Sequence, residues 1–194
     1  GGAGQLIFGA LGAAWVGFNM SFPPVIHTLL ALLAGIVAGA LYAGIAGVLK
    51  ARTGANEVIV TIMLNSIATL ALGYILLQPA WQVPGSSFPK TPTVADSAAL
   101  SPLLPAPFKL HAGIIIAILA TILFWWVLER STFGFEVRAV GANPNAARTA
   151  GISVGKVTTL TMVVSGSFLG LAGANEALGT IGYVSSNVAG TVGF

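Results

Sequence analysis

The run TLLALLAGIVAGALYAGIAGVL, residues 28–49, holds 22 residues without a single charge. A membrane-crossing helix needs roughly 20 such residues, because the hydrocarbon core is about 30 Å thick and each residue advances about 1.5 Å. The same test succeeds at 58–78 (21 residues), 110–128 (19) and 157–175 (19). Residues 5–18 add only 14, which is short for a full crossing. They read either as the remaining end of a truncated span or as a broken half-helix. Four complete spans and a partial one predict an all-α, polytopic integral membrane helical bundle.

Composition agrees. Hydrophobic residues make up 56% of the 194 and charged residues 7%, with a mean hydropathy of +0.92. Soluble domains carry about 25% charged residues, so the bilayer is the expected solvent. The net charge of +3 implies no nucleic-acid partner, because the basic residues are scattered between spans and form no phosphate-binding face. The absence of cysteine excludes disulfides and thiolate metal sites. Small residues recur at four-residue spacing: Ala31, Gly35 and Gly39 on one span, Gly166 and Gly170 on another. Such faces let helix backbones approach closely, although a Gly- and Ala-rich chain also yields this spacing by chance. The chain opens on Gly-Gly without Met and stops at Phe194 inside a Gly-rich stretch. It is therefore expected to be a fragment, cut within a membrane segment at each end, of one transmembrane domain covering 1–194.

Charge placement orients the spans. Lys50 and Arg52 flank one loop, and Arg130, Arg138, Arg148 and Lys156 occupy another, whereas the 79–109 connection has only Lys90 and Lys109. Loops rich in Lys and Arg stay in the cytoplasm, so 79–109 is expected outside. It holds seven of the ten prolines, which predicts an irregular external loop rather than a long helix. Trp81 near one membrane edge and Trp125-Trp126 near the other fit either interfacial belts or plain packing against neighbours.

The polar stretch 129–156, ERSTFGFEVRAVGANPNAARTAGISVGK, holds four of the eight basic residues and two of the five acids. It cannot lie in lipid. Asn143 suits a helix N-cap, Pro144 the first helical position and Gly151 the left-handed stop. A helix of about seven residues, roughly 10 Å long, is expected between them. A short capped helix on the wet side of a membrane protein is a candidate docking surface.

Within the spans, Thr61, Asn65 and Thr69 fall at i, i+4 and i+8 and are expected to share one face. Asn65 needs a partner in hydrocarbon. An interhelical hydrogen bond and a place on the translocation path both fit. Glu176 is expected to end the last span at its outer boundary, either as an ordinary interfacial acid or as a pathway group near a helix break. His27 and His111 sit at span boundaries without ligand neighbours, so no metal site is expected. There is no GxxxxGK[ST] phosphate loop, nucleophile elbow or paired carboxylate set, so no catalytic residue and no cofactor is assigned to this chain.

Three ordered blocks carry a resemblance: VLKARTGANEVIVTIMLNSIA (48–68), STFGFEVRAVGANPNAARTAGIS (131–153) and SGSFLGLAGANEALG (165–179). They resemble permease subunits of bacterial ABC importers in the branched-chain amino acid and simple-sugar permease superfamily, nucleoside-type members above all. GGAGQLIFGALGAA and GYVSSNVAGTVGF are similar to segments after the family's first helices and before its last ones. The resemblance implies a type II-like importer permease, truncated here, in the bacterial plasma (inner) membrane. It implies a second permease subunit (identical or not), a cytoplasmic ABC ATPase that binds ATP and Mg, and an extracytoplasmic solute-binding protein. It also implies that 129–156 is the cytoplasmic coupling loop, with Glu136, Arg138, Gly141, Asn143, Pro144, Ala147, Arg148 and Gly151 as coupling surface.

The expected role is thus the membrane subunit of an ATP-driven importer for a small polar solute, a nucleoside foremost. A simple sugar or a branched-chain amino acid is the alternative cargo. A secondary transporter working without an ATPase is the more distant alternative. That class usually carries intramembrane carboxylates for ion coupling, and here only Glu176 qualifies.

Overall fold

The computed structural model describes residues 1–83, 85, 88–103 and 110–190. Lys109 and residues 191–194 lie outside the described residues, as do three of the prolines in the 79–109 connection. Among the described residues there are seven α-helices, one π-helix and no strand; two isolated bridges, Lys90 with Ser185 and Pro102 with His111, are the only extended pairings. The helices are α1 (Ala3–Asn19), α2 (Pro24–Thr53), α3 (Glu57–Leu76), α4 (Gly113–Arg130), α5 (Thr132–Ala142), α6 (Pro144–Thr149) and α7 (Val154–Asn175). The π-helical turn Glu176–Ile181 continues α7. α2, α3, α4 and α7 with its π extension are long and apolar enough to cross a membrane. The protein is a multi-pass, all-helical membrane protein.

Local chemistry sets the boundaries. Pro24 begins α2, where a missing N–H does no harm, and Gly54 ends it at φ +68. Asn56 then caps α3 by accepting the Val58 N–H at 2.9 Å. Lys50 and Glu57 pair across this turn, tying the end of α2 to the start of α3. The partial span is a real helix of 17 residues, and its first two turns are anchored between α2 and α3. There the Gly4 N–H donates to Asn65 Oδ1 at 2.9 Å, and Tyr42 stacks on Phe8 at 4.4 Å while donating to the Leu64 carbonyl at 2.7 Å.

The core is the three-helix seam of α1, α2 and α7, and glycine builds it. A Cβ at Gly170 would lie 2.3 Å from the Gly35 carbonyl, one at Gly39 2.5 Å from the Gly166 carbonyl, and one at Gly9 2.4 Å from the Gly170 Cα. The small-residue spacing is therefore a packing face. Helices in lipid gain little from the hydrophobic effect, so close backbone approach supplies the van der Waals contact that holds them together.

The described part of the 79–109 connection folds back over one end of the bundle. Ala95 N–H donates to the Gly17 carbonyl at 2.9 Å, Val94 N–H to Gly182 at 2.8 Å and Leu100 N–H to Leu178 at 3.0 Å. Trp81 packs against Trp15 (4.6 Å between centroids) and Phe18, whereas Trp125 and Trp126 are more than half exposed. His27, expected at an interface, is fully buried. Its Nε2 lies 3.0 Å from the Val16 carbonyl and its Nδ1 2.7 Å from the Ser97 hydroxyl. A carbonyl only accepts, so Nε2 carries the proton and Nδ1 accepts from Ser97. This histidine clamps the connection to the ends of α1 and α2.

Candidate functional site

At the basic end of the bundle, 129–156 folds as two short helices rather than one. Ser131 makes the break. It follows the last residue of α4 and caps α5, its hydroxyl accepting the Gly134 N–H at 3.0 Å. Gly134 lets α5 turn back tightly, since a Cβ there would lie 2.1 Å from the Leu128 carbonyl. Arg138 on α5 donates to that same carbonyl and stands 3.9 Å from the Glu129 carboxylate. It satisfies a carbonyl left free at the end of α4 and pins the two helices together. The sequence reading missed α5, because glycines at 134 and 141 lower helix propensity and its apolar stripe, Phe133, Val137 and Val140, spans only two turns.

The second helix, α6, starts and stops where its cap residues predict, one residue shorter than expected. Asn143 Oδ1 accepts the N–H groups of Asn145 (3.0 Å) and Ala146 (3.1 Å). At the other end Gly151 stands at φ +84. Its N–H donates to the Arg148 carbonyl at 3.0 Å, and the Ile152 N–H donates to the Ala147 carbonyl at 2.9 Å. That pair of bonds is a Schellman cap. Of the eight residues expected as coupling surface, Ala147 is buried and Glu136 half-buried; Arg138, Gly141, Asn143, Pro144, Arg148 and Gly151 are exposed. Six residues of helix, capped at both ends and projecting from two membrane spans, make a rigid surface for another molecule.

The intramembrane residues divide differently from expectation. Thr61 and Asn65 are buried, but Thr69 is exposed. At about 100° per residue, eight residues overshoot two turns by about 80°. The buried stripe therefore runs through Thr61, Asn65, Ala68, Leu72 and Leu76, and Thr69 turns away from it, its hydroxyl donating to the Asn65 carbonyl at 3.0 Å. Asn65 has found the interhelical partner its amide requires, the Gly4 N–H.

Glu176 does not end the last span. The helix continues to Ile181, and the packing sets the depth. A Cβ at Gly35 would lie 2.6 Å from the Ala174 methyl, and Gly35 stands seven residues inside the 28–49 apolar run; Glu176, two residues nearer the edge on the antiparallel α7, lies about 7 Å below it. Glu176 opens on a cavity of about 370 Å³ that also takes in Leu6, Asn175, Asn187 and Val188. Asn175 Oδ1 and, on α1, Gln5 Oε1 are buried without a hydrogen-bond partner among the described residues. The sequence reading passed over all three amides; Gln5, the lone amide of the partial span, was the legible one. His111 holds the π-helical turn, its Nδ1 accepting the Gly113 N–H at 3.1 Å and its Nε2 donating to Thr180 Oγ1 at 3.3 Å.

Fold and site together define a multi-span membrane protein with a capped helical hairpin at one end and a polar cavity inside its spans. The family described as branched-chain amino acid transport system / permease component matches residues 1–194, and the chain belongs to that family. It is 45% identical over 196 residues to the guanosine ABC transporter permease protein NupP of Bacillus subtilis, a match covering 98% of this chain and 55% of that protein. It is 36% identical to the glucose ABC transporter permease protein TsgB13 of Haloferax volcanii, across 100% of this chain and 53% of the relative. The nucleoside ABC transporter permease protein NupB of Lactococcus lactis is 34% identical across 99% of this chain and 55% of its own length. The chain thus spans about half the length of the curated relatives it matches. No solved structure matches it.

Proposed function

We propose that this chain is the membrane subunit of an ATP-driven importer in the bacterial plasma membrane, and that its cargo is a nucleoside. The observation that carries the reading is the double-capped α6, held out on the α5 hinge by Arg138. A rigid helix between two spans can pass a rigid-body push from a moving partner into the bundle. That partner is a separate cytoplasmic ABC ATPase holding ATP and Mg, with Glu136, Arg138, Gly141, Asn143, Pro144, Ala147, Arg148 and Gly151 forming or shaping the contact. A second permease subunit and an extracytoplasmic solute-binding protein complete the machine. Within the bundle Glu176 faces the path. Thr61 and Asn65 border it and position α1, while Thr69 contributes from the exposed side of α3.

The nucleoside assignment is supported by the names of two of the three relatives given above, a guanosine and a nucleoside permease. A simple sugar is the second reading, favoured by the match of this whole chain to about half of a glucose permease; a branched-chain amino acid is the third, favoured by the family description. The test is ATP-dependent uptake of labelled guanosine, ribose, glucose and leucine by the full-length protein with its partners in proteoliposomes. Guanosine uptake that ribose and leucine fail to compete is the expected result. Uptake of ribose or leucine alone overturns the cargo, and solute uptake without any ATPase overturns the mechanism in favour of a secondary transporter.

A further inference from the structure

The α-helical ladder of α7 breaks at Glu176. Its next turn is π-helical and ends at Gly182 with φ +77. A π-turn widens the helix, and such turns cluster at functional sites. Here the widened turn borders the cavity of about 370 Å³, within the range of small-molecule sites (about 300–1,000 Å³). Three polar side chains line it, Asn175, Glu176 and Asn187; the remaining wall includes Leu6, Ile181 and Val188. Among the described residues none of these three side chains makes a hydrogen bond or ion pair, and Asn175 Oδ1 is buried as well as unpartnered.

An unpaired carboxylate inside an apolar helical stretch, about 7 Å from the edge of the neighbouring apolar run, is an unusual arrangement. Burying an ion without a partner is expensive, and intramembrane acids face cavities or pathways. Broken membrane helices are also where transporters hold their solutes. What this cavity lacks is hydrogen-bond donors directed at two carboxylate oxygens. Two adjacent hydroxyl groups supply them, each O–H donating to one oxygen, while the Asn187 amide is free to donate to a ring or hydroxyl oxygen and to accept from a further hydroxyl. Leu6 and Val188 are left to cover the apolar faces of a sugar ring.

We infer that Glu176, Asn175 and Asn187 form a solute site on the translocation path that grips the vicinal diol of an uncharged polyhydroxylated solute, such as the ribose of a nucleoside. The inference rests on the importer reading and deepens it. An uncharged solute fits because it satisfies the carboxylate without adding a second charge to the slab.

The test uses the full-length protein with its ATPase and binding protein in proteoliposomes containing sodium-free buffer. The probes are labelled guanosine, unlabelled 2′,3′-dideoxyguanosine as competitor, and labelled ribose and glucose. Wild type should import a diol-bearing probe, and dideoxyguanosine should compete at least about tenfold more weakly than guanosine. Glu176→Gln, which keeps the volume and loses the charge, should raise the apparent KM about tenfold or more. Glu176→Asp should keep part of the uptake. Thermal unfolding in detergent identifies a variant that fails to fold, and Asn187→Leu then serves as the second probe with the same expected direction. Wild-type uptake kinetics in the folded Glu176→Gln and Asn187→Leu variants overturn the inference while leaving the importer intact. Equal competition by dideoxyguanosine assigns the carboxylate to the base and overturns the diol. A strict sodium requirement makes the cavity a cation site and also overturns it. Import of leucine alone, or of no probe, removes the cargo reading and this site with it.

Discussion

Replacing Gly151 separates backbone conformation from sterics at the proposed coupling helix. A Cβ at this position meets nothing within 4 Å, so a larger side chain encounters no clash. The penalty is conformational. Gly151 sits at φ +84, where an L-residue with a Cβ loses roughly 1–2 kcal/mol. If the residue instead relaxes to negative φ, the two cap bonds from Gly151 and Ile152 are lost, at about 0.5–1.5 kcal/mol each. Either route weakens the cap by about 1–3 kcal/mol in Gly151→Val, a roughly 5- to 150-fold shift toward the unwound end. A six-residue, mostly exposed helix has little packing in reserve, since isolated helices this short are unstable. Gly151→Asn is the control, because Asn tolerates the left-handed region. The assay is the ratio of solute imported to ATP hydrolysed in proteoliposomes of the full-length transporter. The expected order is Gly, then Asn, then Ala, then Val, with import falling several-fold in Gly151→Val while ATP hydrolysis and membrane insertion persist. A wild-type ratio in Gly151→Val, or equal damage from Asn and Val, refutes the reasoning.

Gly170→Ala should lower the unfolding temperature in detergent. Its Cβ would lie 2.3 Å from the Gly35 carbonyl where ordinary contact begins at 3.4 Å, and overpacking of this kind costs about 1–3 kcal/mol. Gly73→Ala, with nothing within 4 Å, should be neutral or gain up to about 1 kcal/mol; equal melting of the two variants would contradict the seam. Arg148→Glu places an acid at the negative end of α6 and reverses an exposed charge, so co-purification of the ATPase should fall more than in Arg148→Gln. Unchanged co-purification and import in both would remove Arg148 from the interface. His27→Ala leaves the Val16 carbonyl and Ser97 hydroxyl unpaired around a new void, a loss of about 2–4 kcal/mol. Protease added from the outer side should then cut the 92–100 segment faster, and an unaltered cleavage rate would show that the clamp is unimportant.

Much of the fold was legible because its signals are local. Each complete span announces itself by length and lack of charge, since lipid penalises every unsatisfied polar group along roughly 20 residues. The caps of α6 were legible for the same reason: Asn143, Pro144 and Gly151 act on backbone atoms a few residues away. α5 was not, because it depends on Gly134 meeting the Leu128 carbonyl and on Arg138 reaching back to α4. Thr69 was misplaced because a four-residue spacing drifts off a 3.6-residue helix within two turns.

The sequence by itself therefore determined the membrane solvent, the number of spans and the ends of α6, all properties of contiguous residues. Tertiary structure alone decided that the 28–49 glycines are a seam with α7, that Asn65 serves the Gly4 N–H, and that Glu176 shares a cavity with Asn175 and Asn187. Those facts depend on which helices meet and at what depth. That is set by long-range backbone packing at Gly9, Gly35, Gly39 and Gly170; the four-residue spacing marks the faces, but not which face meets which.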